Sequence, residues 1–173
     1  MKIKILIPVY NDWQSVFKLL ENINSVVFNL DHEFSVIIIN DASTETKPEL
    51  FVNLEKLNSI KIINMKENRG HARCNAAGLK HIFENEEFDY VIPMDGDGED
   101  RPEEIKQLID NLNYHPNKPI VGERIKRSEG IFFKFCYLAH KIITSTFTGQ
   151  SIKYGNYTCL PKSIVEKMIN EKN

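Results

Sequence analysis

Lys2-Ile3-Lys4-Ile5-Leu6-Ile7 is a short run rich in isoleucine that stops at Pro8 and the turn-forming Asn11-Asp12, and a longer segment with helical spacing follows it. Phe34-Ser35-Val36-Ile37-Ile38-Ile39 repeats the arrangement. Further along, the spacing predicts a helix over Glu45 to Leu57, a strand over Ile60 to Ile63, a helix over His71 to Phe83 and a strand over Tyr90 to Pro93. A helix over Glu103 to Leu112 and a short strand at Ile120-Val121 continue the series. Apolar strands alternating with helices predict a mostly parallel sheet covered on both faces, because each crossover helix must pack back onto it. The expected fold class is α/β.

At 173 residues the chain is long enough for one domain with a sizeable core, so a single domain over 1–173 is expected. An apolar fraction of 42% and a charged fraction of 27% exclude disordered, collagenous and small disulfide-stapled classes. A net charge of -2 supplies no overall pull toward DNA or RNA, and no nucleic-acid partner is expected. Cys74, Cys136 and Cys159 lack the close pairing of structural zinc sites and read as free thiols of a reducing compartment, which favours the cytoplasm. The apolar run at Met1 to Ile7 is too short for a signal peptide. Ile131 to Phe147 is interrupted by Lys134, His140 and Lys141, against a bilayer span of ~20 apolar residues. Two readings of this stretch stay open: a buried core helix, or an amphipathic helix lying peripherally at the inner face of a membrane.

Open α/β sheets bind ligands outside the carboxyl ends of their strands. Four predicted strand ends here carry carboxylate, amide or turn residues: Pro8-Val9-Tyr10-Asn11-Asp12, Asn40-Asp41-Ala42-Ser43, Glu67-Asn68-Arg69-Gly70 and Asp95-Gly96-Asp97. Each has a plain alternative. Asp41 or Ser43 would serve as a cap for the helix expected to follow, and Asn68-Arg69-Gly70 would serve as a turn.

Asp95 and Asp97 are two apart in a loop, where two carboxylates can converge on one point. Mg²⁺ typically takes only one or two protein carboxylates and completes its shell with water and phosphate oxygens, so such a loop suits an ion that arrives with a diphosphate. Gly96 and Gly98 permit positive φ and close approach to a ligand, and Pro102 marks the start of the next helix. A solvated acidic turn capping that helix explains an isolated Asp-x-Asp equally well.

Taken together and in order, Pro8-Val9-Tyr10-Asn11, Asn40-Asp41-Ala42-Ser43, Asn68-Arg69-Gly70 with Ala72-Arg73-Cys74-Asn75 and Gly78, and the Asp95 segment resemble the inverting glycosyltransferases of family 2, from Lys2 to at least Arg127. That resemblance implies a GT-A, Rossmann-like three-layer sandwich. Asp95-Gly96-Asp97-Gly98-Glu99-Asp100-Arg101-Pro102-Glu103, followed by Gly122-Glu123-Arg124-Ile125-Lys126-Arg127, is most similar to the polyprenyl-phosphate sugar transferases such as dolichol-phosphate mannose synthase. It implies a nucleotide-sugar half over about 1–100 and an acceptor half over about 101–173, in a family whose members commonly continue into further C-terminal segments.

The resemblance implies that Pro8, Tyr10, Asp12 and Asp41 contact the nucleoside of a UDP- or GDP-sugar, that Arg73 helps hold the nucleotide, and that Asp95, Asp97 and Glu99 surround Mg²⁺ or Mn²⁺. Asp12 stands where the family often has glutamate, Asn40 and Ala42 where aspartate and glycine are usual, and Glu99 where glutamine is common. Gly155 to Leu160 matches a glycine-aromatic-basic segment but lacks the basic residue.

A phosphate acceptor is already an anion and needs cationic side chains around it, which Arg124 and Arg127 would supply bidentately. These two would otherwise belong to a solvated basic loop with Lys126. A saccharide hydroxyl acceptor would instead need a general base, and Asp100 is the nearest candidate. Two rival functions remain: a nucleotidyltransferase, against which Pro8 to Trp13 contains no glycine-rich phosphate loop, and a sugar-nucleotide-binding module without turnover.

Overall fold

A computed structural model describes residues 1–49, 54–123 and 154–170 of the chain. The first strand, β1 (Lys2–Val9), is the axis of the sheet. It pairs in parallel with β2 (Glu33–Asn40) on one side and β4 (Tyr90–Pro93) on the other, and β2 pairs in parallel with β3 (Leu57–Asn64). Beyond β4 the direction reverses: β6 (Tyr154–Pro161) runs antiparallel between β4 and β5 (Ile120–Glu123), giving the order β3-β2-β1-β4-β6-β5. The mostly parallel α/β sheet expected from the strand runs is therefore present.

The period-2 alternation of β1 divides the core into two layers. Ile3, Ile5 and Ile7 face α1 (Trp13–Val27) and α3 (Ile105–Leu112) in one apolar cluster, while Leu6 belongs to a second cluster with α2 (His71–Asn85) and α4 (Lys162–Asn170). Helix α1 presents Val16, Leu19, Leu20, Ile23 and Val27 at helical spacing, all buried. Each aliphatic side chain taken from water in this way contributes roughly 1.5–3 kcal/mol. Gly78 of α2 marks how closely the second layer packs, since a Cβ there would lie 2.3 Å from Leu6 Cδ1.

Lys4 alternates onto the α2 face and would be a buried cation without a partner. Glu86, just past the end of α2, supplies one at 3.0 Å, and Lys61 of β3 reaches the same carboxylate. Burial alone would raise the Glu86 carboxyl, but the two ammonium groups together hold it below its ordinary value.

The helix expected over Glu45 to Leu57 does not form in the described part of that range. Residues 45–49 are irregular, Glu55-Lys56 is a turn and Leu57 already opens β3. Pro48 disfavours helical backbone at Lys47, and the N–H groups of Thr44 and Glu45 are taken by the Asn11 side chain. Strand β6 was also absent from the sequence pattern. No helix among the described residues is long and apolar enough to cross a membrane. The stretch 131–147 lies outside them.

Candidate active site

Because β1 to β4 are parallel, their carboxyl ends share one rim, and the four polar strand ends meet there. Asn11 ties the first to the second. It lies at φ 54°, its N–H donates to Ser43 Oγ at 2.9 Å, and its Oδ1 accepts the N–H groups of Thr44 at 2.8 Å and Glu45 at 3.0 Å. Asn40 bridges onward, accepting from the Ser43 N–H at 3.0 Å and donating to Asn64 Oδ1 at 2.8 Å. Ala42, between them, sits at φ 56°.

Asp41 ties the second strand end to the third. Buried at 4% exposure, its carboxylate accepts the backbone N–H of Arg69 at 2.7 Å and of Gly70 at 2.8 Å. Burial pushes this carboxyl up, yet the Arg69 N–H, the Cys74 thiol and the Gly70 N–H outweigh it and leave Asp41 below its ordinary value. The cap expected from Asp41 or Ser43 is not seen: Asp41 holds the two N–H groups that lead into α2, whose N-cap residue Gly70 has no side-chain cap, and Ser43 Oγ accepts from the Asn11 N–H. Cys74 is buried with its thiol pushed up to about 12, by burial and then by Asp41, which makes it a poor nucleophile.

The fourth strand end forms an acidic loop held from within. Asp100, 7% exposed, accepts the backbone N–H of Asp95 at 2.9 Å, and Asp97 Oδ1 accepts that of Glu99 at 2.9 Å. Gly98 has the positive φ expected of it, 79°. Gly96 serves a different purpose: it lacks positive φ, and a Cβ there would lie 3.1 Å from both Pro8 O and Val16 Cγ2, so its close approach is to β1 and α1.

Between this loop and the end of β1 lies a cleft of about 340 Å³, lined among others by Pro8, Tyr10, Asp12, His71, Asp95 and Asp97. Tyr10 is 48% exposed. Asp12 also caps α1, accepting from the Ser15 N–H at 3.4 Å. His71, the first residue of α2, reaches Asp95: Nε2 lies 2.7 Å from Oδ1. The motif containing Gly70 and Ala72 surrounds His71, but only the packing of α2 against the rim brings its ring to the acidic loop.

Of the residues picked out in the sequence, Pro8, Tyr10, Asp12, Asp95 and Asp97 are thus brought to one cleft. Asp41 lies buried behind the rim, and Arg73 and Glu99 are exposed outside the lining. Arg124 and Arg127 lie outside the described residues. Among the described residues no three His, Cys, Asp or Glu side chains gather to hold an ion unaided. The Asp95 and Asp97 carboxylates of the acidic loop nevertheless fit a hard divalent cation that draws its other ligands from water and a phosphate-bearing molecule.

The fold and its polar rim define a class, the GT-A glycosyltransferase fold. Solved structures that share it include glucosyl-3-phosphoglycerate synthase from Mycobacterium tuberculosis in complex with Mn²⁺, UDP and glucosyl-3-phosphoglycerate, and the mannosyltransferase PcManGT from Pyrobaculum calidifontis in complex with GDP-Man and Mn²⁺. The first has a TM-score of 0.64 at 11% identity, over 94% of this chain and 57% of that one. The second has a TM-score of 0.56 at 17% identity, over 96% and 46%. Residues 4–164 match the family model "Glycosyl transferase family 2", and the chain belongs to that family. It is 25% identical over 177 residues to the undecaprenyl-phosphate 4-deoxy-4-formamido-L-arabinose transferase of Klebsiella pneumoniae (strain 342), covering 98% of this chain and 51% of that protein. The chain spans about half the length of the curated relatives it matches.

Proposed function

We propose that the chain is the catalytic domain of an inverting, metal-dependent glycosyltransferase that moves a sugar from a UDP- or GDP-sugar to a polyprenyl phosphate. The observation that carries this reading is the cleft in which Asp95 and Asp97 share a lining with Pro8, Tyr10 and Asp12. Relatives named as undecaprenyl-phosphate sugar transferases support the acceptor class.

In this reading Tyr10 and Pro8 receive the nucleoside, with Asp12 beside them and Asp41 holding the rim in place. Arg73, in the first turn of α2, is assigned to the nucleotide. Asp95 and Asp97 hold Mg²⁺ or Mn²⁺, with Glu99 at the mouth of the loop. When bound, the cation supplies Lewis-acid stabilisation to the departing diphosphate. The acceptor phosphate attacks the anomeric carbon from the opposite face, so configuration inverts. It arrives as an anion, and no side chain has to remove a proton. Arg124 and Arg127 are assigned to neutralise and orient it.

The test is calorimetry with a panel of UDP- and GDP-sugars, with and without EDTA. Binding is expected for one donor and is lost on chelation. Metal-independent binding, or no binding to any donor, sinks the reading. For the acceptor, Arg124→Ala with Arg127→Ala is expected to abolish transfer to a polyprenyl phosphate while donor hydrolysis persists.

A further inference from the structure

We propose that His71 is a positioning residue for Asp95, fixing the carboxylate through a hydrogen bond from Nε2 so that the acidic loop meets a divalent cation already ordered. This rests on the proposed reading of the cleft as a donor and metal site, and it adds a residue from a different element of the fold.

Asp95 is held at two points. Its backbone N–H is anchored to Asp100 Oδ2 at 2.9 Å, which fixes where the residue sits. Its side chain is met by His71, with Nε2 2.7 Å from Oδ1. An Nε2–H donating to Oδ1 occupies one lone pair of that oxygen and leaves the lone pairs of Oδ2 to other partners, so the same carboxylate can be held and can ligate. Hydrogen bonds of this kind to ligating carboxylates typically alter metal affinity 10–100-fold when they are removed.

The imidazole is itself placed by the fold. His71 opens α2 directly after Gly70, whose φ of 81° turns the chain into the helix. Asp41 grips the N–H groups of Arg69 and Gly70, fixing the approach to that helix from the end of β2. A line of direct contacts therefore runs from Asp41 through the start of α2 to His71 and Asp95, linking two strand ends that are not neighbours in the chain.

The experiment titrates Mn²⁺ into the chain in the presence of UDP, and separately GDP, reading free Mn²⁺ by electron paramagnetic resonance. His71→Ala is compared with His71→Gln, whose amide can donate from a position close to Nε2. Mn²⁺ affinity is expected to fall by about 10–100-fold in His71→Ala and to recover substantially in His71→Gln, with similar thermal unfolding midpoints for all three proteins. Unchanged affinity in His71→Ala overturns the role of His71 and leaves the cleft reading standing. Equal loss in both variants overturns the hydrogen bond as the cause. If His71→Ala fails to fold, His71→Gln alone decides: near-native affinity supports the role, and a loss as large as that of Asp95→Asn overturns it. Absence of Mn²⁺ binding by the unaltered chain with either nucleotide removes the cleft reading, and this proposal with it.

Discussion

Asp41 Oδ2 accepts the backbone N–H of Gly70 at 2.8 Å, and its Oδ1 accepts that of Arg69 at 2.7 Å, so one carboxylate at the end of β2 fixes the approach to α2. An amide in its place offers a single acceptor oxygen and turns an NH₂ toward the other N–H. Asp41→Asn is therefore expected to destabilise the fold by about 1–3 kcal/mol near neutral pH, as for a buried donor left unsatisfied. The folded carboxyl lies below its ordinary value. Its contribution is thus fully present above the unfolded value of about 3.9 and is lost as pH falls through the folded one. Urea unfolding at pH 7 and pH 3 checks this: the difference between the two proteins should narrow in acid, and a constant difference would rule the linkage out.

Ala42 lies at φ 56°, a region costing an L-residue with a Cβ roughly 1–2 kcal/mol. Ala42→Gly removes that cost while adding freedom to the unfolded chain, and a net gain of about 0.5–1 kcal/mol is expected. The denaturant midpoint measures it. A lower midpoint would mean that the Asn11 and Asn40 hydrogen bonds around the loop do not hold this geometry in solution.

Asp100 is buried, and its Oδ2 holds the Asp95 N–H. If this is its role, Asp100→Ala weakens cation and donor binding by about tenfold, because the acidic loop loses its internal anchor. A general base for a hydroxyl acceptor would behave differently, with donor binding intact and only transfer lost. Donor calorimetry beside a transfer assay on the same preparation separates the two outcomes.

The parallel half of the fold was legible because buried strands read as nearly continuous apolar runs, and β1, β2 and β4 were located within two residues at either end. Strand β6 was not legible. Tyr154-Gly155-Asn156-Tyr157-Thr158-Cys159 carries polar and glycine residues that resemble a loop, and its strand character comes from pairing with β5, while only Leu160 and Pro161 beyond it pair with β4. The segment after Asn40 misled for a related reason: helical spacing was read across Pro48, and the Asn11 side chain that claims two of its N–H groups lies more than thirty residues away. At the candidate site, strand-end residues announced themselves by type. His71 did not, because its partner Asp95 is reached only through the packing of a helix.

The placement of β6 also sets an order of assembly. Every pairing in the parallel unit β3-β2-β1-β4 becomes available once Pro93 has been made, including the widest of them, which joins Ile3 of β1 to Tyr90 of β4. Strand β5 is made next, but its partner in the sheet begins only at Tyr154. On a growing chain, β5 must wait for β6, which then inserts between it and β4. The rim that carries Pro8, Asp41 and Asp95 belongs to the part of the sheet that can pair first, and the antiparallel closure comes last because β6 is made last.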